Sequence, residues 1–105
     1  MKFNSINNFH RGWLVGNFEP SLIPTTDIDV GLLFCEKGHV ADGHYHKLHT
    51  EYNIIVSGKA QINESVYTAG DIFIYEPYDR STVQYLENTA LLVIKHPSVK
   101  GDKYE

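Results

Sequence analysis

The sequence of 105 residues contains a single cysteine, Cys35, and no long uninterrupted apolar run. One cysteine excludes an intramolecular disulfide, and its place in the apolar stretch 30–35 favours a buried structural thiol over a nucleophile. The first 13 residues hold no apolar stretch of signal-peptide length, and no run approaches the length of a membrane span. These absences predict a protein of the reducing cytoplasm that has no membrane partner.

Clustered positive charge is also scarce. Nine Lys and Arg residues against 13 Asp and Glu residues give a formal net charge of −4, and the basic residues are scattered along the chain. Nucleic acids and anionic membrane surfaces require Lys and Arg concentrated on one face, so we expect no nucleic-acid partner. The length suits one compact domain and is too short for two, so residues 1–105 are predicted to form a single domain.

Helical periodicity is missing as well. Almost every apolar segment is short, β-branched or aromatic, and bounded by Gly, Pro, Asn or Asp, which is typical of strands joined by turns. This pattern predicts an all-β sandwich or barrel. The polar segment 97–105 is predicted to be either a frayed tail or an arm lying across the domain or its neighbour. Strands are predicted near residues 12–18, 28–36, 39–46, 51–57, 59–62, 66–68, 71–76, 82–87 and 90–95.

The most informative local feature is a pair of histidines, His44 and His46, separated by one residue. On a strand, residues i and i+2 project from the same face roughly 6.5–7 Å apart, so two imidazoles can converge on one ion. Glu51 follows after a predicted turn, and a carboxylate on the inward face of a strand needs a partner such as a cation. The three side chains predict a divalent-metal site with open positions for water or substrate.

Five residues of this region resemble the first cupin motif, both in identity and in the spacing between them, without a gap or substitution. They are Gly38, His44, His46, Glu51 and Gly58. The resemblance implies a double-stranded β-helix barrel, also called a jelly roll, with a metal near its centre and frequent homodimers. The whole chain is also similar to a group of short single-domain cupins in the RmlC-like cupin superfamily. That group implies the fold and brings no established reaction with it.

The run 70–77 resembles the start of the second cupin motif, which in metal cupins usually supplies a further histidine. The stretch 77–84 contains none, and Ser81 falls nearest that position. Three interpretations stay open: a metal with three protein ligands and more water, a metal completed by a substitute such as Gln84 or Asp79, or no metal. In the last case the histidines act as acid–base groups or hydrogen-bond partners.

Two further residues are candidates for the same site. His49 lies two residues before Glu51. If it shares the face of Glu51, it is an additional metal ligand. If it sits in the turn before that strand, it is a solvated histidine. Tyr78 lies in the loop beside the position that lacks a histidine, and it is the preferred pocket residue among the many tyrosines, most of which are expected in the core.

The predicted function is that of a metal-binding cupin that acts on or binds a small polar molecule, a carbohydrate or an organic acid. Mixed nitrogen and oxygen ligands suit Fe, Mn, Ni, Co and Zn about equally. One alternative is a non-catalytic module that senses or binds a small ligand or a metal. Another is a metal-free sugar isomerase or epimerase in which His44 or His46 acts as base and a tyrosine as acid.

Overall fold

The computed structural model describes all 105 residues and contains nine β-strands and two three-residue 3₁₀ helices, Ile6–Asn8 and His10–Gly12. Neither helix has the length or apolar character needed to cross a bilayer. Each observed strand lies within a predicted stretch or extends beyond it by one residue at one or both ends, so the all-β prediction is confirmed. The strands are β1 (Trp13–Val15), β2 (Asp29–Cys35), β3 (Val40–Ala41), β4 (Thr50–Ser57), β5 (Lys59–Ile62), β6 (Ser65–Thr68), β7 (Ile72–Tyr75), β8 (Val83–Tyr85) and β9 (Thr89–His96).

The strands form two antiparallel sheets, one of five strands in the order β1-β2-β9-β4-β7 and one of four in the order β3-β8-β5-β6. Their inner faces share one core, because the buried apolar residues come from β4 and β9 of the first sheet and from β5 and β8 of the second. Cys35 is half-buried and packs against this core. The core consists of Ile55, Ala60, Ile62, Val83, Tyr85, Leu91 and Val93.

The register of the five-stranded sheet separates a polar end of the interior from an apolar end. Glu51 on β4 pairs with Lys95 on β9 and with Tyr75 on β7, which forms one cross-strand row. Two residues further along, Asn53 pairs with Val93, and both are buried. Since residues i and i+2 of a strand share a face, Glu51 and Lys95 point to the same side as the core and occupy its polar end.

A glycine on β2 shapes the wall beside this polar end. Gly31 pairs with Trp13 of β1, and a Cβ atom at Gly31 would lie 2.7 Å from the indole ring. The missing side chain therefore lets Trp13 lie flat against the sheet. The ammonium of Lys95 sits 4.7 Å from the centre of that ring, so the tryptophan helps to position a charged side chain at the end of the core.

The predicted strand 39–46 is wrong in its second half. Only Val40–Ala41 pairs within a sheet, with β8. Beyond it, the backbone N–H and C=O of Tyr45 both bond to Tyr104, each at 2.9 Å. The C-terminal segment is therefore an arm across this same chain and not a frayed tail, because it supplies the backbone hydrogen bonds that no sheet strand offers to residue 45.

Candidate metal site

His44 and His46 flank the Tyr45–Tyr104 bridge, which holds this part of the chain extended and turns both imidazoles to the same side. Their ring centroids lie 4.9 Å apart and the rings are nearly perpendicular, at 80°. Two imidazoles that bind one ion through nitrogens at about 2.1 Å have centroids about 4.5–5 Å apart. The observed spacing fits two ligands of a single ion.

Glu51 is brought to the same place by the alternation of β4. It shares the inward face with Asn53 and Ile55, which are 4% and 0% exposed. Two cavities meet at His44, His46 and Glu51: an inner one of about 160 Å³ inside the barrel and an outer one of about 910 Å³ that opens to solvent. The three residues predicted to bind a metal thus line the boundary between the two cavities.

The two nitrogens of His46 have different environments. The side chain is 5% exposed, and Nδ1 donates a hydrogen bond to the backbone carbonyl of Asp102. A carbonyl can only accept, so in the neutral ring Nδ1 carries the proton and Nε2 has a free lone pair. Nε2 is buried and has no hydrogen-bond partner. Metal-binding histidines have this arrangement, with one nitrogen held by a carbonyl and the other free for the ion.

His49 is buried against His46. The side chain of His49 is 2% exposed, and the two ring centroids are 4.0 Å apart. The pKa of His49 is lowered to about 4, chiefly by burial and also by the neighbouring charges of His46 and Lys95, against an opposing effect of Asp102 and Glu51. Its Nε2 is also buried without a partner. His49 does lie in the turn before β4, but it is neutral and enclosed, so the expectation of a solvated histidine is wrong.

His44 is half-buried at the opening between the cavities. Burial lowers its pKa, and the charges of Lys103 and His46 lower it further, against an opposing effect of Glu51. A neutral imidazole is the form that binds a metal. His44 and His49 therefore both have the protonation state that a metal ligand requires at neutral pH.

Asp102 was not anticipated as part of the site, and it holds the histidine loop in place. Its carboxylate accepts hydrogen bonds from the backbone N–H groups of Lys47, Leu48 and His49 at 2.9–3.0 Å. Burial raises the pKa of this carboxyl, but the hydrogen bonds from the three N–H groups outweigh that effect and lower it. No local motif identifies Asp102, since its partners lie more than 50 residues away in the sequence.

The possible metal-ligand atoms of His46, His49 and Asp102 all lie within 4.8 Å of one another. Both carboxylate oxygens of Asp102 are already engaged by backbone N–H groups, which leaves little lone-pair capacity for an ion. The observed role of Asp102 is therefore to hold the loop that carries the imidazoles.

The structure places the substitutes for the missing histidine in different environments. Ser81 lines the inner cavity, where its hydroxyl is hydrogen-bonded to that of Tyr75. Asp79 lines the same cavity, and its carboxylate accepts the backbone N–H of Glu76 at 2.9 Å. Burial raises the pKa of Tyr75, an effect that its bond to Ser81 partly offsets, so the phenol keeps its proton at neutral pH.

Gln84 and Tyr78 do not reach the cavities. Gln84 is exposed between two buried residues of β8, and because side chains alternate along a strand it points away from the interior. Tyr78 is 64% exposed, and its ring stacks on that of Tyr45 at 5.8 Å. The structure therefore gives no support to Gln84 as a substitute ligand or to Tyr78 as a pocket residue.

Comparison with solved structures identifies the fold. A double-stranded β-helix protein from Klebsiella pneumoniae is 21% identical, with a TM-score of 0.69 over 95% of this chain and 88% of that one. KdgF from Halomonas sp. is 19% identical, with a TM-score of 0.67 over 71% and 74%. An RmlC-like cupin from Shewanella frigidimarina is 21% identical, with a TM-score of 0.66 over 72% and 71%. No protein-family model and no curated protein sequence matches the chain.

The protein therefore has the double-stranded β-helix fold of a small cupin, as the motif spacing predicted. The donor chemistry of its interior fits a metal-binding cupin, because imidazoles and a carboxylate lie together where Nε2 of His46 and Nε2 of His49 are buried without a hydrogen-bond partner.

Proposed function

We propose that this protein holds a divalent metal ion through His44, His46 and Glu51, and that it binds or acts on a small polar molecule, a carbohydrate or an organic acid, at that ion. One observation carries the proposal: Nε2 of His46 is buried and has no hydrogen-bond partner, and in the neutral ring the bond from Nδ1 to the arm leaves the lone pair on Nε2. A buried acceptor left unpaired is costly unless something fills the position.

His49 is proposed as the fourth ligand, in place of the histidine that the second motif lacks. Its ring contacts that of His46, Nδ1 lies 3.1 Å from the carboxylate of Asp102, and Nε2 is free and buried. A set of three imidazoles and one carboxylate suits Fe, Mn, Ni, Co and Zn.

The residues around the ion determine what it does. When bound, a divalent ion polarises a carbonyl or carboxylate oxygen of a ligand. Tyr75, which retains its proton, and Ser81 offer hydroxyl groups in the inner cavity. Leu91, Val93 and Phe73 line the rest of that cavity, which limits water near the reacting atoms. These groups bind and orient a small ligand that enters from the outer cavity.

Metal analysis tests the proposal. Protein purified without chelator, and protein reloaded after dialysis against EDTA, should hold close to one divalent ion per chain. His46→Ala should weaken metal binding by at least about 100-fold, since loss of even a supporting partner costs 10–100-fold. His10→Ala is the matched control, because His10 is exposed and outside both cavities. Failure to bind any of the five metals, or equal binding by the two variants, contradicts the proposal.

We further propose that the protein works in the cytoplasm and forms a homodimer. The lone thiol of Cys35 requires no oxidising compartment. The edge strand β7 exposes two isoleucines, Ile72 and Ile74, and an uncovered apolar edge favours association with another chain.

A further inference from the structure

The outer cavity collects positive charge although the chain as a whole is negative. Of the nine Lys and Arg residues in a protein of net charge −4, Arg11, Lys95 and Lys103 line this one cavity of about 910 Å³. The acids that line it are Glu36 and Glu51, and the latter is the carboxylate assigned above to the metal.

None of these three cations is paired with a carboxylate. The salt bridge between charged side chains joins Lys59 to Glu87, at 3.3 Å, and the other close contact of this kind is between the neutral His49 and Asp102. Lys95 is next to Glu51 in the β4–β9 register, yet its ammonium lies over the ring of Trp13 and not against that carboxylate. The three cations at the cavity are therefore available to bind an anionic group of a ligand.

Three separate structural elements position the cations. Lys95 is on the inward face of β9, and Lys103 follows the buried Asp102, so docking of the arm places it at the cavity. Arg11 has a left-handed backbone, with φ of 53°, which is uncommon for a residue other than glycine and persists where the surrounding structure imposes it. Convergence of a strand, an arm and a strained turn argues against a chance patch of surface lysines.

We propose that the outer cavity binds a small organic anion whose carboxylate or phosphate oxygens are held by Arg11, Lys95 and Lys103. The guanidinium presents a planar fork that matches such groups, and the two ammonium groups act as mobile point charges. A cavity with an excess of one sign of charge also concentrates ligands of the other sign. The inference that this anion is the substrate rests on the proposed function; its binding to the cations does not.

The test uses calorimetry on metal-free protein at low salt, with succinate, its neutral diamide succinamide, and inorganic phosphate as probes. Succinate should bind at least about tenfold tighter than succinamide, and 0.5 M NaCl should abolish most of that difference because screening acts over a few ångströms at such ionic strength. The ratio of phosphate to succinate affinity separates a phosphate ligand from a carboxylate ligand.

Variants locate the binding. Lys95→Gln and Arg11→Gln should each weaken succinate binding about fivefold, the usual effect of one partly exposed charge pair, and leave succinamide unchanged. Lys95→Arg keeps the charge and should keep most of the affinity for succinate. This variant shows whether a loss in Lys95→Gln comes from the missing charge or from a general disturbance of β9. Lys59→Gln is the matched control, since Lys59 lines neither cavity.

Equal binding of succinate and succinamide, or an equal loss in Lys59→Gln and Lys95→Gln, would overturn the inference. Because these measurements are made without metal, the two proposals fail separately. Succinate binding by a protein that takes up no metal retains the anion site and rejects the metal site. Metal uptake by a protein that binds succinate and succinamide equally retains the metal site and rejects the anion site.

Discussion

Oδ2 of Asp102 lies 3.1 Å from Nδ1 of His49, across 53 residues of sequence. The same residue accepts three backbone N–H groups of the histidine loop through its carboxylate and the Nδ1–H of His46 through its carbonyl. The C-terminal arm is therefore a structural part of the candidate site, because it fixes the orientation of two of the imidazoles. This relationship connects the stability of the arm to the binding properties of the site.

Replacing Asp102 by alanine should destabilise the protein strongly. Three backbone N–H groups, of which that of His49 is buried, lose their acceptor, and breaking a buried charged network costs about 3–5 kcal/mol. Asp71→Ala is the control, because its exposed carboxylate accepts a single N–H, that of Thr68 at 2.8 Å, and such a bond contributes about 1 kcal/mol. Urea unfolding measures both. Similar losses in the two variants would contradict the assigned role of Asp102.

Removal of residues 102–105 should weaken metal binding although the proposed ligands remain. Without the carbonyl of Asp102, the tautomer and ring direction of His46 are no longer fixed, and loss of such support typically costs 10–100-fold in affinity. Titration of the metal-free protein with Zn²⁺, monitored with a competing chelator, measures the change. Glu105→Ala, at an exposed position outside the site, should bind as the unmodified protein does; an unchanged affinity after the deletion would show that the arm does not support the site.

Stability of the metal-free protein should fall on acidification through the titration of His49. Its pKa is about 4 when folded and 6.5 otherwise, so between these values the unfolded chain binds more protons and the free energy of unfolding decreases as pH falls. The expected loss between pH 7 and pH 4.5 is on the order of 2–3 kcal/mol. Below this range the lowered pKa of Asp102 adds a further loss.

The comparison is between the unmodified protein and His49→Gln, unfolded by urea in the presence of EDTA at the two pH values. The variant should lack most of the loss, since Gln does not titrate. Equal pH dependence in the two proteins would mean that His49 is not held neutral by burial.

Dimer formation through β7 should be sensitive to charge on its outer face. Ile72 and Ile74 are 59% and 51% exposed on this edge strand. Light scattering should give twice the chain mass of 12.0 kDa for the unmodified protein and the single mass for Ile74→Lys, because a lysine on an edge strand opposes pairing. Val66→Lys, on the edge strand of the other sheet, should stay dimeric. A monomer before any substitution would reject the proposed dimer.

The sequence predicted the strands and the inward face of Glu51 because both depend on local signals, the period-two alternation and the turn residues. The sequence also contained the reason why Gln84 is not a metal ligand. Gln84 lies between two apolar residues of a strand, so its side chain points away from the interior. The burial of His49 and the role of Asp102 were not predictable in this way. Both depend on docking of the C-terminal arm against a loop more than 50 residues away, and no local pattern specifies such a contact.

The central claim is that a metal ion binds to the imidazoles and Glu51 and not to Asp102. A crystal structure of protein loaded with Zn²⁺, with anomalous data at the zinc edge, tests this most directly. The account predicts one strong peak within about 2.0–2.3 Å of Nε2 of His46, Nε2 of His49, a ring nitrogen of His44 and a carboxylate oxygen of Glu51. A peak on the carboxylate of Asp102, or no peak near His46, would contradict it.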